Sequence, residues 1–184
     1  MQYQSTREFG KLITIAKTIQ PYCVIEIGSM FGETLRPLIA VAEHVISVDY
    51  LLPEQDSRRI GQLNGREMSS DFAKMMGTRL DIISGDSHDP AIFKRVKECI
   101  TEAPSILFID GDHTYNGVKM DFEMYGPLVK EGGIIAFHDI IPNPQFGDIQ
   151  VPAFWNEIKN NYPYREFCEY DNQWGIGVIV TNEA

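Results

Sequence analysis

At 184 residues the chain fits a single domain over 1–184, long enough to bury about 70% of the surface it exposes when unfolded. Its 43% hydrophobic and 23% charged residues are the proportions of a folded globular protein, not of a disordered one. The formal charge of −10 excludes a protein that tracks nucleic-acid phosphates, which needs clustered Lys and Arg, and no apolar run approaches the ~18 residues of a membrane span.

Three widely spaced cysteines, Cys23, Cys99 and Cys168, show no metal-ligand spacing and are expected as reduced core residues. With Arg7 and Lys11 but no apolar leader near the N-terminus, a cytoplasmic location is expected.

In chain order, residues 5–20 place Phe9, Leu12, Ile13, Ala16 and Ile19 at helical spacing, with Ser5 and Thr6 as candidate caps. A strand over 22–27 runs into a glycine turn from Gly28 to Gly32 and a helix over 35–42, the first half of a βαβ unit. A second strand, 45–49, ends in Asp49, with His44 expected on an exposed turn before it. Residues 50–65, broken by Pro53, Gly61, Asn64 and Gly65, read as a loop able to act as a lid. A helix over 68–76 and a third strand over 80–84 follow. Gly85, Asp86, Ser87 and His88 then lead to a helix over 91–100, with Pro90 at its start.

Residues 106–109 are four apolar positions between Pro104 and Gly111, a short strand buried on both faces. The turn beyond gathers Asp110, Asp112 and His113. A helix over 115–125 and a fifth strand over 132–137, ending in His138 and Asp139, come next. Pro142, Pro144 and Gly147 mark a second loop before a helix over 152–160. Residues 164–170 and 174–181, joined across Asp171 and Asn172, should pair as an antiparallel hairpin. Tyr170, Trp155 and Trp174 are expected in the core.

Strands that alternate with helices predict a mostly parallel sheet, and ligands of such sheets bind beyond the carboxyl ends of the strands. Glu26, Gly28 and Gly32 surround the first such end. Gly28 and Gly32 let backbone approach a ligand, but Met30 stands where a dinucleotide fingerprint has its middle glycine, so a cofactor without a pyrophosphate fits better. Asp49 stands where a ribose-binding fold receives sugar hydroxyls. Asp110, His113, His138 and Asp139 combine carboxylates with imidazoles, the residue types that bind divalent metals or move protons near neutral pH.

Glu26, Gly28, Gly32, Asp49, Gly85, Asp86 and Asp110 together resemble the motif series of class I S-adenosylmethionine (SAM)-dependent methyltransferases. Phe108 to Tyr115, with Pro127, Leu128, Gly132, Gly133 and Ala136 to Asp139, is similar to a branch containing cephalosporin-hydroxylase-like proteins and macrolide-sugar O-methyltransferases. The resemblance implies an α/β three-layer sandwich, with a Rossmann-like, mostly parallel seven-stranded sheet ending in an antiparallel hairpin. It implies SAM as cofactor, with Gly28, Ser29 and Gly32 along its methionine part, Glu26 near the ammonium, Asp49 on the ribose, and Asp86 and Ser87 at the adenine. Asp110 serves both halves of such a site. Metal-dependent members have an acid after the fourth strand and an Asp-Asn pair after the fifth, which maps a divalent ion, Mg²⁺ first, onto Asp110, His138 and Asp139. His138 is a departure from that pattern, and imidazole suits other metals. Neighbours in an extended strand also face opposite ways, so His138 and Asp139 share an ion only if the chain bends between them.

The expected activity is methylation of a hydroxyl on a small molecule or sugar, without nucleic-acid or membrane partners, in a cleft that is either open or closed by a second copy in a homo-oligomer. A metal-free variant uses His138 or His113 as general base. A SAM-binding protein without catalysis and another metal-dependent α/β enzyme, such as a hydrolase, are the alternatives. A nicotinamide oxidoreductase is disfavoured by Met30, and a serine hydrolase by the lack of a G-x-S-x-G elbow.

Overall fold

The structure, a computed structural model, describes residues 6–142, 147–169 and 174–181. Ser5 as a cap, Pro144, Tyr170 and the Asp171–Asn172 connection lie outside the described residues. The leading helix α1 (Thr6–Ile19) precedes β1 (Cys23–Ile27), α2 (Leu35–Ile39), β2 (His44–Asp49), α3 (Arg59–Met76) and β3 (Arg79–Ser84). Then come α4 (Pro90–Cys99), β4 (Ile106–Ile109), α5 (Tyr115–Tyr125), β5 (Ile134–His138), α6 (Val151–Ile158), β6 (Tyr164–Phe167) and β7 (Ile176–Val180).

The seven strands lie in the order β3-β2-β1-β4-β5-β7-β6. Strands β1 to β5 pair in parallel, and β7 is antiparallel to both β5 and β6, so the expected terminal hairpin is present. Strand order reverses between β1 and β4. That switch point is where crossover helices on opposite faces leave a crevice.

Alternation along the central strands divides the core into two layers. Ile25, Ile46, Leu107 and Ile135 pack on one face with Ile92 and Val96 of α4, Val118 of α5 and Phe154 of α6. Val24, Val45, Ile106 and Ile134 pack on the other with Leu12 of α1, Leu38 of α2 and Ala73 of α3. Apolar runs without polar interruption are what strands covered on both faces require. Helix ends follow their local chemistry: Asp89 caps α4 by accepting from Ala91 N, Thr114 caps α5 by accepting from Gly117 N, and Gly77 closes α3 at φ 74°.

The segment expected as a loop over 50–65 is half helix, because α3 begins at Arg59. Gly61 and Gly65 are not breakers here but contact points. A Cβ on Gly65 would collide with the Phe31 carbonyl oxygen, so only glycine lets α3 lie against the turn after β1. Helix α2 also ends earlier than expected, at Ile39. His44 is buried, since β2 is an interior strand, and its Nε2 lies 2.8 Å from Asp81 Oδ2. All three cysteines are free, but only Cys23 is buried; Cys168 is exposed. No helix among the described residues is long and apolar enough to cross a membrane.

Candidate functional site

A cavity of about 570 Å³ opens beyond the carboxyl ends of β1 to β5, within the size range of small-molecule sites. Its floor is where the β1 and β4 ends meet. Gly28 adopts φ 85°, and a Cβ there would collide with the Asp110 carbonyl oxygen, so both the conformation and the contact require glycine. Gly28 N donates to Val48 O and Asp110 N to Ile27 O, which ties three strand ends together.

On one side the cavity is lined by Gly28, Ser29, Met30, Phe31, Asp49, Tyr50 and the turn Gly85 to His88. Glu26 and Gly32 are not in its wall. Gly32 (φ 72°) instead abuts Ser69 Oγ of α3, and Glu26 is wholly buried. Burial pushes the Glu26 carboxyl up to about 8, against the pull of the Thr34 hydroxyl. Asp49 Oδ2 accepts from Gln62 Nε2 at 2.9 Å; burial raises its carboxyl, opposed by Gln62 and Arg66. Asp86 is exposed and accepts from His88 N, while Ser87 is nearly buried beneath it.

On the other side stand Asp110, Asp112, His113, His138, Asp139 and Trp174. Asp110 Oδ1 lies 3.0 Å from His138 Nδ1 and 3.3 Å from His113 Nε2. His113 Nδ1 reaches Asp139 Oδ2 at 3.3 Å, and Asp139 Oδ1 stands 3.2 Å from His138 Nδ1. The expected bend is present: β5 stops at His138 and Asp139 takes φ 61°, a left-handed conformation that swings its carboxylate back beside the histidine. Burial works to raise the Asp110 carboxyl, but the two imidazoles hold it well below the usual carboxylate range. Burial likewise opposes protonation of His138, yet Asp110 and Asp139 push it up to about 10, and the same acids raise His113.

The donor atoms that converge within 4.8 Å of one another belong to Asp110, His113 and Asp139. His113 thus occupies the place that the sequence pattern offered to His138, whose Nδ1 is committed to Asp110 and whose buried Nε2 has no partner. Asp112 turns away from this triad to accept from Thr114 N at the start of α5.

A family model described as a methyltransferase domain matches residues 25–140, more than half of the chain. The chain belongs to this methyltransferase-domain family. An uncharacterized protein of Acanthamoeba polyphaga mimivirus is 31% identical over 117 residues, covering 62% of this chain and 50% of that protein, so the chain spans about half the length of the curated relative it matches. Among solved structures, the O-methyltransferase TomG from Streptomyces achromogenes, in complex with SAM, aligns with a TM-score of 0.72 at 12% identity, over 97% of this chain and 82% of that one. An O-methyltransferase from Bacillus cereus in complex with SAH aligns with a TM-score of 0.69 at 15% identity, over 97% and 82%. At such identities the likeness establishes the fold, which agrees with the sheet order described above.

For this methyltransferase domain the resemblance read from the sequence is therefore upheld. Three residues that line or support the cleft were not read as part of it. Gln62 lies in the segment expected as a loop and Arg66 just after it, although their spacing of four is the one that puts two side chains on one helix face. Trp174 was expected in the core; its indole instead lines the cavity and stacks on His138 with ring centroids 6.2 Å apart and planes 17° apart. Nothing in its local sequence marks it, because its partner is 36 residues away across the sheet.

Proposed function

We propose that this methyltransferase domain moves the methyl group of SAM onto a hydroxyl oxygen of a small molecule or sugar, with a divalent metal held by Asp110, His113 and Asp139. The observation that carries this reading is a single cleft with two chemically distinct halves, a glycine turn with Asp49 on one side and the aspartate-histidine cluster on the other.

The first half suits SAM. Gly28 leaves room for a ligand against bare backbone, Ser29 adds a hydroxyl, Asp49 is an acceptor for ribose hydroxyls, and Asp86 with Ser87 offers acceptors to an exocyclic amine. Glu26 and Gly32 act from behind the wall, Gly32 by seating the turn on α3. The second half suits a metal, and one imidazole among two carboxylates favours a first-row ion such as Mn²⁺ over Mg²⁺.

SAM bound in the first half would supply a methyl group on positively charged sulfur, the S–C electron pair staying on sulfur as the O–C bond forms, and a metal held by the cluster would supply Lewis acidity toward the acceptor hydroxyl. The chain's own groups position and take up the proton. His138 keeps Asp110 ionised and oriented rather than acting as base, since it is itself held protonated. Asp139, whose buried Oδ1 stands 3.2 Å from His138 Nδ1, receives the hydroxyl proton. Trp174 closes the wall beside it and keeps water from the reacting oxygen.

Calorimetric titration with S-adenosylhomocysteine (SAH), with and without Mn²⁺, followed by labelled methyl transfer to a panel of phenols, alcohols and sugars, tests the reading. Asp139→Ala should keep SAH affinity and lose transfer. Lack of SAH binding in either condition sinks the proposal; SAH binding with neither a Mn²⁺ effect nor transfer leaves a non-catalytic cofactor-binding protein.

A further inference from the structure

Gln62 is fully buried on the inner face of α3, and its amide is used completely within one short segment. Nε2 donates to Asp49 Oδ2 at 2.9 Å and to Tyr50 O at 2.8 Å, while Oε1 accepts from Leu52 N at 3.0 Å. One turn later, Arg66 Nη2 donates to Asp49 O at 3.2 Å and lies 3.5 Å from Asp49 Oδ2, and Nη1 donates to Ser84 Oγ at 2.7 Å. Helix α3 thus clamps the carboxyl ends of β2 and β3. Its reach depends on Gly65, where any side chain would collide with Phe31 and lift the helix away.

This arrangement addresses a problem specific to Asp49. A carboxylate that is to receive two hydroxyls of a vicinal diol must stay ionised and hold its plane, because a protonated group offers a donor where an acceptor is needed and a rotated one aims its lone pairs elsewhere. Burial works against ionisation here, and Gln62 is the foremost group opposing it. The amide takes one lone pair of Oδ2 and leaves the carboxylate, with about four such sites, able to accept further hydrogen bonds. Because the same amide holds Tyr50 O and Leu52 N, Asp49 cannot turn without moving the loop behind it.

We propose that Gln62, seconded by Arg66, is the positioning residue that makes Asp49 selective for a ligand carrying a vicinal diol. The inference rests on the reading of this half of the cleft as the SAM site. It deepens that reading by placing the selectivity for ribose in α3 as much as in the carboxylate itself.

The test is calorimetric titration with SAH and with its 2′-deoxy analogue. Wild-type protein should prefer SAH by about tenfold, the worth of one charge-assisted hydrogen bond. Gln62→Met, of similar volume, should lose about tenfold in SAH affinity but little in affinity for the deoxy analogue, so that the preference collapses. Gln62→Glu keeps the shape and the acceptor for Leu52 N while facing Asp49 with like charge; it should lose the preference too, and serves if Gln62→Met does not fold. In an Asp49→Asn background, Gln62→Glu should change SAH affinity by less than about twofold. An equal loss for both ligands marks Gln62 as merely structural and overturns the inference, as does an unchanged preference. Lack of SAH binding by the wild-type protein overturns the cofactor reading and this inference with it, an outcome distinct from the other two.

Discussion

His138 Nδ1 lies 3.0 Å from Asp110 Oδ1, and this contact joins the end of β5 to the end of β4 inside the cleft. Asp110 is a candidate ligand; His138 fixes which way it faces. A hydrogen-bonding partner that orients a ligating carboxylate is typically worth about 10–100-fold in metal affinity. His138→Gln should therefore weaken Mn²⁺ binding by about 10–100-fold while SAH affinity stays within about twofold. Electron paramagnetic resonance of free Mn²⁺ measures the first and calorimetry the second. Equal Mn²⁺ affinity in the variant would falsify the orienting role.

Glu26 makes the stability of the domain depend on pH in a defined direction. Its carboxyl is raised by burial from the ordinary value to about 8, so the folded state holds a proton that the unfolded state has released above about pH 4.5. Between those values the unfolded chain binds fewer protons, and stability falls as pH rises. The contribution is fully present below the unfolded pKa and is lost through pH 8. Glu26→Gln removes this dependence. Thermal unfolding should show the wild-type Tm declining from about pH 5 to about pH 8.5 by several degrees more than that of the variant, with the variant the more stable form at the alkaline end. Parallel profiles would show that Glu26 is ionised in the fold.

Much of this was legible in the residues because burial on both faces leaves a simple mark. Strands such as Ile106–Ile109 are uninterrupted apolar runs, and the acids after β2, β4 and β5 stand where a parallel sheet presents its ligands. The failures share one physical cause, which is that local signals report local preference. Gly61 and Gly65 raise the intrinsic cost of a helix, yet α3 forms because its inner face packs on the turn after β1. His113 and His138 are equivalent as residue types. Both reach Asp110 and Asp139, an arrangement that needs the φ 61° turn at Asp139, and no rule of composition foretells a left-handed aspartate.

Two helical glycines separate propensity from packing. Gly10 is exposed in α1, with no atom within 4 Å of where a Cβ would stand, so Gly10→Ala should stabilise the domain by about 1 kcal/mol, or roughly 2–4 °C in Tm. Gly65→Ala gains the same propensity but drives a methyl into Phe31 O, and the collision outweighs it. Overpacking against backbone costs about 1–3 kcal/mol or more, so a lower Tm and weaker SAH binding are expected, since α3 carries Gln62. Differential scanning calorimetry decides the sign in each case, and a stabilised Gly65→Ala would mean that the helix can shift freely.

Glu8 extends the site to the first helix. Its fully buried carboxylate accepts from Glu169 N at 2.9 Å and from Gly175 N at 3.2 Å, gripping the two described ends of the β6-β7 connection. Gly175 is the neighbour of Trp174, whose carbonyl accepts from Ile141 N just beyond Asp139. The backbone around the indole is thus anchored to α1 and to the segment just beyond β5, and the ring stacks on His138. Glu8→Gln keeps the volume but can accept from only one of the two N–H groups and turns a donor toward the other. Leaving one buried N–H unpaired costs about 1–3 kcal/mol, which lowers Tm by roughly 2–12 °C for a domain of this size. A loss of stability alone is what any buried carboxylate would give, so the distinguishing measurement is tryptophan emission. Trp155 is buried in the core layer opposite the one that α1 packs, while Trp174 is half-buried in the cleft wall. Glu8→Gln should therefore red-shift emission and raise acrylamide quenching, and a Trp174→Phe background should abolish both changes. If the emission of Glu8→Gln matches that of the wild type at a temperature where both are folded, the grip of α1 on Trp174 is not what holds the indole in place.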